Sequence, residues 1–235
     1  MIMSAFTGKY VSINYRNNEG FPGYTASFML MEDGKKDHFA ILEVFDNILQ
    51  WAQDITVIDL SACGLGSRPA TTALKLLKTI PASVHTINLS WNELSAMKHS
   101  ELCLALYAIP STVQGLNLSF NRLGDKNFDE LQSILQSLNP NICIINLSNN
   151  NLDKLPNLLL AAALRGLSNG VTTVNLEKNG LDTKTPEELD IIFQYLPENV
   201  HTVYLDNKVY YPQQIRAAKR SIPEVPDIAV KRQRT

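Results

Sequence analysis

The stretch Val84-HTINLSWNE-Leu94 recurs, with the same order of aliphatic and polar places, at five other positions in the chain. Aliphatic residues hold its first, fourth, sixth and eleventh places, and asparagine holds the ninth place in four of the six copies. Each copy starts 29 residues after the one before it, without insertion or deletion. The other copies are Ile55–Leu65, Val113–Leu123, Ile142–Leu152, Val171–Leu181 and Val200–Tyr210. A fixed period of this length predicts a repeat architecture of stacked units.

Each unit is predicted to contain one strand and one helix. The fourth and sixth places, such as Ile87 and Leu89, lie two residues apart and therefore point to the same buried side of a short strand. A stretch such as residues 101–109 then carries apolar residues at helical spacing and ends at Pro110. Strands stack about 4.8 Å apart but helices need about 8–10 Å. The array must therefore curve, with a parallel sheet on its concave side and helices on its convex side.

This pattern resembles the leucine-rich-repeat family, whose signature is L-x-x-L-x-L-x-x-N/C-x-L. The 29-residue period is similar to that of the ribonuclease-inhibitor-like subclass, and the resemblance covers residues 55–210. It implies a curved α/β solenoid of about six repeats. A side-chain amide at the ninth place can satisfy backbone groups of a buried turn, so this row is predicted to be structural. The row consists of Cys63, Asn92, Asn121, Asn150 and Asn179.

The regions outside the repeats are predicted to cap them. In residues 1–54, two apolar runs around Gly20–Gly23 predict a β-hairpin, and residues 36–53 predict an amphipathic helix. A separate functional domain in this region is the alternative. Residues 211–235 are predicted to form a short helix and a basic, flexible tail. Within the tail, Lys231–Arg234 is either a nuclear-import or anion-binding patch or a solvated end.

Composition and motifs narrow the function class. The 235 residues carry a net charge of −2, and no apolar run reaches the 18 or more residues expected of a membrane span. We find no export signal, and the three cysteines show no metal-binding spacing, which predicts a cytoplasmic protein without a metal or cofactor. Phosphate-binding loops, nucleophile elbows and zinc-protease motifs are absent from the sequence. We therefore expect a monomeric protein that is not an enzyme and that binds neither nucleic acid nor membranes.

The concave side is the predicted binding surface, because curved repeats commonly bind there. The fifth, seventh and eighth places face it, and the seventh place carries Ser61, Ser90, Ser119, Ser148, Glu177 and Asp206. Trp91 and Phe120 either stand exposed as interface anchors or fold down onto the turn, and both alternatives stay open. The partner-binding residues are predicted to be Asp59, Asn88, Trp91, Asn117, Phe120, Asn146, Asn149, Asn175, Glu177, Lys178, Tyr204, Asp206 and Asn207.

These features predict a protein-protein interaction module. In style the chain resembles the leucine-rich-repeat effectors that intracellular bacterial pathogens translocate into host cells without a cleaved signal. That resemblance implies a host protein as partner, action in the host cytoplasm and a secretion signal in residues 223–235. The alternatives are regulation of an enzyme, as a GTPase-activating protein, or inhibition of an enzyme in the manner of the ribonuclease inhibitor.

Overall fold

Within the described residues, the repeat strands, three N-terminal strands and one C-terminal strand form a single sheet of ten strands. Their spatial order in the sheet is their order along the chain. The computed structural model describes residues 2–6, 9–18, 21–30 and 55–220, with side chains for residues 55–217. The strands are β1 (Ile2–Phe6), β2 (Lys9–Asn18), β3 (Phe21–Leu30), β4 (Ile55–Asp59), β5 (Thr86–Asn88), β6 (Gly115–Asn117), β7 (Ile144–Asn146), β8 (Thr173–Asn175), β9 (Thr202–Leu205) and β10 (Lys208–Tyr210). Strands β3 to β9 pair in parallel, and the remaining pairs are antiparallel.

The register aligns equal places of successive repeats. Asn88 pairs with Asn117, Asn117 with Asn146, and Asn146 with Asn175. Each step of one strand therefore corresponds to a step of 29 residues, and every place of the repeat becomes a row that runs across the sheet. We call each repeat's strand and the turn after it a rung.

A helix returns the chain from each rung to the next. Each of the first five helices follows a short 3₁₀ helix that starts at the eleventh place, such as Leu94–Ala96. Capping boxes begin two of them, at Asn127 with Glu130 and at Thr185 with Glu188, where each side chain bonds the other residue's backbone N–H. The helices are Ala70–Lys78, His99–Tyr107, Phe128–Gln136, Asn157–Leu164, Pro186–Gln194 and Pro212–Arg220.

The hydrophobic core lies between the sheet and these helices. Ile87 and Leu89, at the fourth and sixth places, are buried, as is Leu94 at the eleventh. Leu102 and Leu106 of the helix His99–Tyr107 pack into the same core. Because every repeat supplies the same buried places, the core is continuous along the array, and the predicted α/β solenoid is confirmed.

The N-terminal region adds three antiparallel strands to this sheet. β2 and β3 form the hairpin, and β3 pairs in parallel with the first repeat strand, so the hairpin continues the sheet. Strand β1 was not predicted. The helix predicted over residues 36–53 and the tail of residues 221–235 lie outside the described residues. That residues 1–54 act as a cap stays a prediction.

The C-terminal end differs from the predicted sixth repeat. Asp206 and Asn207 both take positive φ values, 46° and 63°, and reverse the chain into β10. Two such residues make the type I′ turn that favours a tight hairpin. Lys208 and Tyr210, predicted to replace the asparagine and leucine of a sixth repeat, therefore belong to a strand that returns along β9. The Arg216 guanidinium then donates to the carbonyl oxygens of Leu196 (2.7 Å) and Pro197 (3.2 Å) at the end of the preceding helix.

Candidate binding face

The turn after each of the strands β4 to β8 holds the eighth and tenth residues of its repeat in the left-handed region. Trp91 and Glu93 have φ values of 58° and 53°, and Phe120 and Arg122 repeat them at 56° and 55°. Left-handed backbone costs a residue with a side chain about 1–2 kcal/mol. The ninth residue lies between each such pair, and its hydrogen bonds offset this cost.

The ninth-place asparagines form a hydrogen-bonded ladder inside the turns. In Asn121, Oδ1 accepts from the backbone N–H of Asn92 (2.9 Å) and Leu94 (3.3 Å) in the preceding repeat. Its Nδ2 donates to the carbonyl oxygens of Leu89 (2.9 Å) and Leu118 (3.0 Å). Asn92, Asn150 and Asn179 are buried in the same way, so the amides join the turns of successive rungs.

Cys63 takes the ninth place in the first repeat. Its thiol is buried and donates to the carbonyl oxygen of Ser61 (3.6 Å). Burial raises the pKa of this thiol to about 12, which keeps it neutral and unreactive at physiological pH.

The fifth-place side chains line the concave side, and in three of the asparagines the Oδ1 atom already has a hydrogen-bond partner in the turn. The Oδ1 of Asn88, Asn117 and Asn146 accepts from the backbone N–H two residues later, at 2.9–3.0 Å. The acceptor is thereby fixed, and Nδ2 is the free end of each amide. Among residues 55–217, no hydrogen bond occupies these three Nδ2 groups, so they form a row of donors that faces solvent.

The seventh-place serines are not part of the exposed face, and their prediction as concave surface residues was wrong. Ser90, Ser119 and Ser148 are only 4–7% exposed. The carbonyl oxygen of Ser90 accepts from the backbone N–H of Ala62 (3.0 Å) and from Nδ2 of Asn92 (3.2 Å). Because the backbone is held from both sides here, the short side chain lies enclosed between the rungs.

Trp91 and Phe120 stand at the edge of the concave side, where each strand enters its turn. Their rings stack with centroids 3.9 Å apart and planes 13° from parallel. Trp91 is nevertheless 58% exposed, while Phe120 is half-buried. The sequence left open whether the Trp91 ring is exposed or folded onto the turn, and in the structure it is exposed.

The far end of the concave side carries further exposed apolar and aromatic residues. Tyr204, predicted from its place, is exposed, and Val209 lies opposite it on β10. Tyr211 and, nearer the centre, Ile144 at the third place are also exposed. The sequence prediction missed Val209 and Tyr211 because the return of the chain at Asp206 was not recognised, and it missed Ile144 because the third place was left out of the candidate rows.

The remaining predicted residues lie along this side or its turn edge. Asp59 and Asn175 are half-exposed in the fifth-place row, and Asn149, Lys178 and Asn207 follow Phe120 in the eighth-place row. Glu177 accepts from Nδ2 of Asn175 (3.2 Å), and Asp206 accepts from the backbone N–H of Lys178 (2.9 Å).

The centre of the concave side is free of carboxylates and of lysine and arginine. On β5, β6, β7 and the turns after them, the second, third, fifth, seventh and eighth places are all uncharged, apart from the titratable His85 and Cys143. In the part of the chain with described side chains, we find no cluster of three His, Cys, Asp or Glu residues able to hold a metal ion. The described helices also include none with the length and apolar character needed to cross a membrane.

Comparison with solved structures supports this fold. No protein-family model matches the chain, and no curated protein matches it. The crystal structure of the leucine-rich repeat-containing protein LegL7 from Legionella pneumophila is similar, with a TM-score of 0.55 and 28% sequence identity. The match covers 78% of this chain and 66% of LegL7, so this chain spans slightly less than two thirds of that protein's length. Together with the 29-residue period and the strand–helix units, this likeness identifies the chain as a leucine-rich-repeat solenoid.

Proposed function

We propose that this protein is a non-enzymatic interaction module that binds another protein through its concave side, with Trp91 and Phe120 as anchors. The stacked pair carries the proposal. Exposed aromatic side chains dominate the binding energy of many protein interfaces. Both residues also occupy left-handed backbone, which disfavours bulky side chains.

The conformation of the turn does not require aromatic side chains at these two positions. Ala62, Asn149 and Lys178 hold the same left-handed place in other repeats without an aromatic ring. Strained conformations cluster at functional sites, where they serve binding. Two large rings kept in strained backbone at the sheet edge are therefore more consistent with an interface than with a packing role.

The uncharged centre of the face supports a protein rather than a nucleic acid as its ligand. Nucleic-acid affinity comes largely from Lys and Arg contacts to phosphates. None of these side chains stands on the concave places of β5 to β7.

We propose further that the partner is a host-cell protein and that residues 223–235 carry a secretion signal. The likeness to a leucine-rich-repeat protein of Legionella pneumophila supports this proposal. A reporter fused to the full chain should enter host cells, and deletion of residues 223–235 should stop its entry while leaving the circular dichroism spectrum unchanged. Entry of the truncated fusion would contradict the signal assignment.

Capture of partners from host-cell lysate tests the binding face. The double variant Trp91→Ala/Phe120→Ala should lose the captured protein, with affinity reduced about 30-fold or more if either ring is a hot spot. The matched control is Leu104→Ala/Tyr107→Ala, which removes two exposed apolar side chains from the convex helix His99–Tyr107. Quantitative mass spectrometry should give equal capture by wild type and control. Equal capture by the Trp91/Phe120 variant would contradict the proposal.

A further inference from the structure

The row of asparagine amides defines what the concave side can recognise. Each Oδ1 of Asn88, Asn117 and Asn146 already accepts a hydrogen bond within its own turn, whereas each Nδ2 has no such bond, so these amides offer chiefly donors. Register places these donors on adjacent rungs, about 4.8 Å apart. A partner must therefore bring hydrogen-bond acceptors to this row.

The absence of charge at the concave places of the same rungs limits what those acceptors are. A buried charge without a counter-charge or full hydrogen bonding is strongly destabilising. On β5 to β7 the concave places supply no lysine, no arginine and no carboxylate, and His85 is the one histidine among them. The charge of a partner's Lys, Arg, Asp or Glu side chain buried here would have no opposite charge to pair with. The partner's acceptors are therefore expected to be uncharged, as backbone carbonyl oxygens are.

The conformation of the partner's chain decides whether its backbone carbonyl oxygens can accept hydrogen bonds from this row. In a helix the carbonyls bond to amides of the same helix, whereas an extended segment leaves them free. The three donors span about 10 Å, and carbonyl oxygens on one side of an extended segment repeat about every 6.7 Å, so such a segment brings two carbonyl oxygens to the row. An apolar side chain at one end of such a segment reaches the exposed Trp91 indole.

We propose that the concave side of β5 to β7 binds an extended, uncharged peptide segment of the partner. Two of its backbone carbonyl oxygens accept from Nδ2 groups of this asparagine row, one of them from Asn117, and an apolar side chain packs against Trp91. This inference rests on the proposed function and specifies the chemistry of the partner. It also requires an affinity that depends little on salt, because no ion pair forms across the contact.

The informative variant is Asn117→Asp. It keeps an oxygen to accept from the Ser119 N–H but replaces the free donor with a negative acceptor. Asp59 already holds the equivalent place in the first repeat and accepts from the Ser61 N–H at 3.0 Å, so a carboxylate is compatible with the turn. The matched control is Gln136→Glu, the same change from amide to carboxylate at an exposed residue of a convex helix.

The probe is a phage-displayed library of twelve-residue peptides, selected on the full chain. We expect uncharged binders that lose at least about tenfold in affinity with Asn117→Asp or Trp91→Ala and are unaffected by Gln136→Glu. Their dissociation constants should change by less than about twofold between 0.05 and 0.5 M salt.

Two other outcomes would count against this inference in different ways. Charged binders with strong salt dependence that still require Trp91 would overturn the uncharged segment but leave the proposed function standing. If no selected peptide depends on Asn117, the inference fails, and the capture experiment with Trp91→Ala/Phe120→Ala decides separately whether the proposed function stands.

Discussion

Replacing one asparagine of the ladder should destabilise the fold far more than replacing an asparagine four residues away. In Asn121→Ala, the carbonyl oxygens of Leu89 and Leu118 keep other donors, Nδ2 of Asn92 and of Asn150. The backbone N–H groups of Asn92 and Leu94 lose their acceptor. Two buried donors left unpaired cost about 1–3 kcal/mol each, so the free energy of unfolding should fall by about 2–6 kcal/mol.

Asn117→Ala is the matched control, because Asn117 is half-exposed and accepts from the N–H of Ser119 alone. The loss of that hydrogen bond should cost about 0.5–1.5 kcal/mol. Urea unfolding followed by circular dichroism measures both variants. If Asn121→Ala lost less than about 1 kcal/mol, or no more than Asn117→Ala, the assignment of the ladder as the main support of the turns would be refuted.

Three further predictions concern single positions. Trp91→Asn should change stability by less than about 1 kcal/mol in urea unfolding, because relief of left-handed strain offsets the lost ring stacking, and Asn149 holds the same place. Burial raises the pKa of Cys63 to about 12 in the folded protein, so the free energy of unfolding should fall from about pH 9 towards 12, by about 1.4 kcal/mol at pH 10, and urea midpoints of Cys63→Ala should lack this fall. Gly124→Ala should lower the melting temperature markedly, since its Cβ would lie 1.9 Å from a carbonyl oxygen of the next repeat; Gly64→Asn, with 3.3 Å to its nearest neighbour, should not.

Most of the scaffold could be predicted from the sequence because it depends on periodic burial. Alternation at Ile87 and Leu89 predicts the strand, and helical spacing predicts the returning helix. The 29-residue period then places equal residues in rows without any knowledge of their contacts. These signals are strong because six copies repeat them.

The turns could not be predicted in the same way. Glycine normally indicates left-handed backbone, but Trp91, Glu93, Phe120 and Arg122 adopt it here without that signal. Their conformation is imposed by the buried asparagine between each pair and by stacking on the next rung, which are tertiary effects. The burial of Ser90 follows from the same turn, so it was missed together with it.

At the C-terminal end, the repeat pattern in the sequence obscured two residues that indicate a tight turn. The sixth copy continues the aliphatic pattern as far as Leu205, which favours another full repeat. The adjacent Asp206 and Asn207 are the residue types that tolerate a type I′ turn, and they reverse the chain. Recognising that pair would have placed Val209 and Tyr211 beside Tyr204 on the concave side.

Site-specific photo-crosslinking tests most directly whether the partner meets the concave side. A photoreactive phenylalanine analogue would replace Ile144, an exposed apolar residue of β7, in one variant and Gln136, on the convex helix Phe128–Gln136, in another. After irradiation in host-cell lysate, we expect a discrete crosslinked protein with the Ile144 variant and none with the Gln136 variant. A crosslink from Gln136 alone would contradict the account and place the partner on the helices.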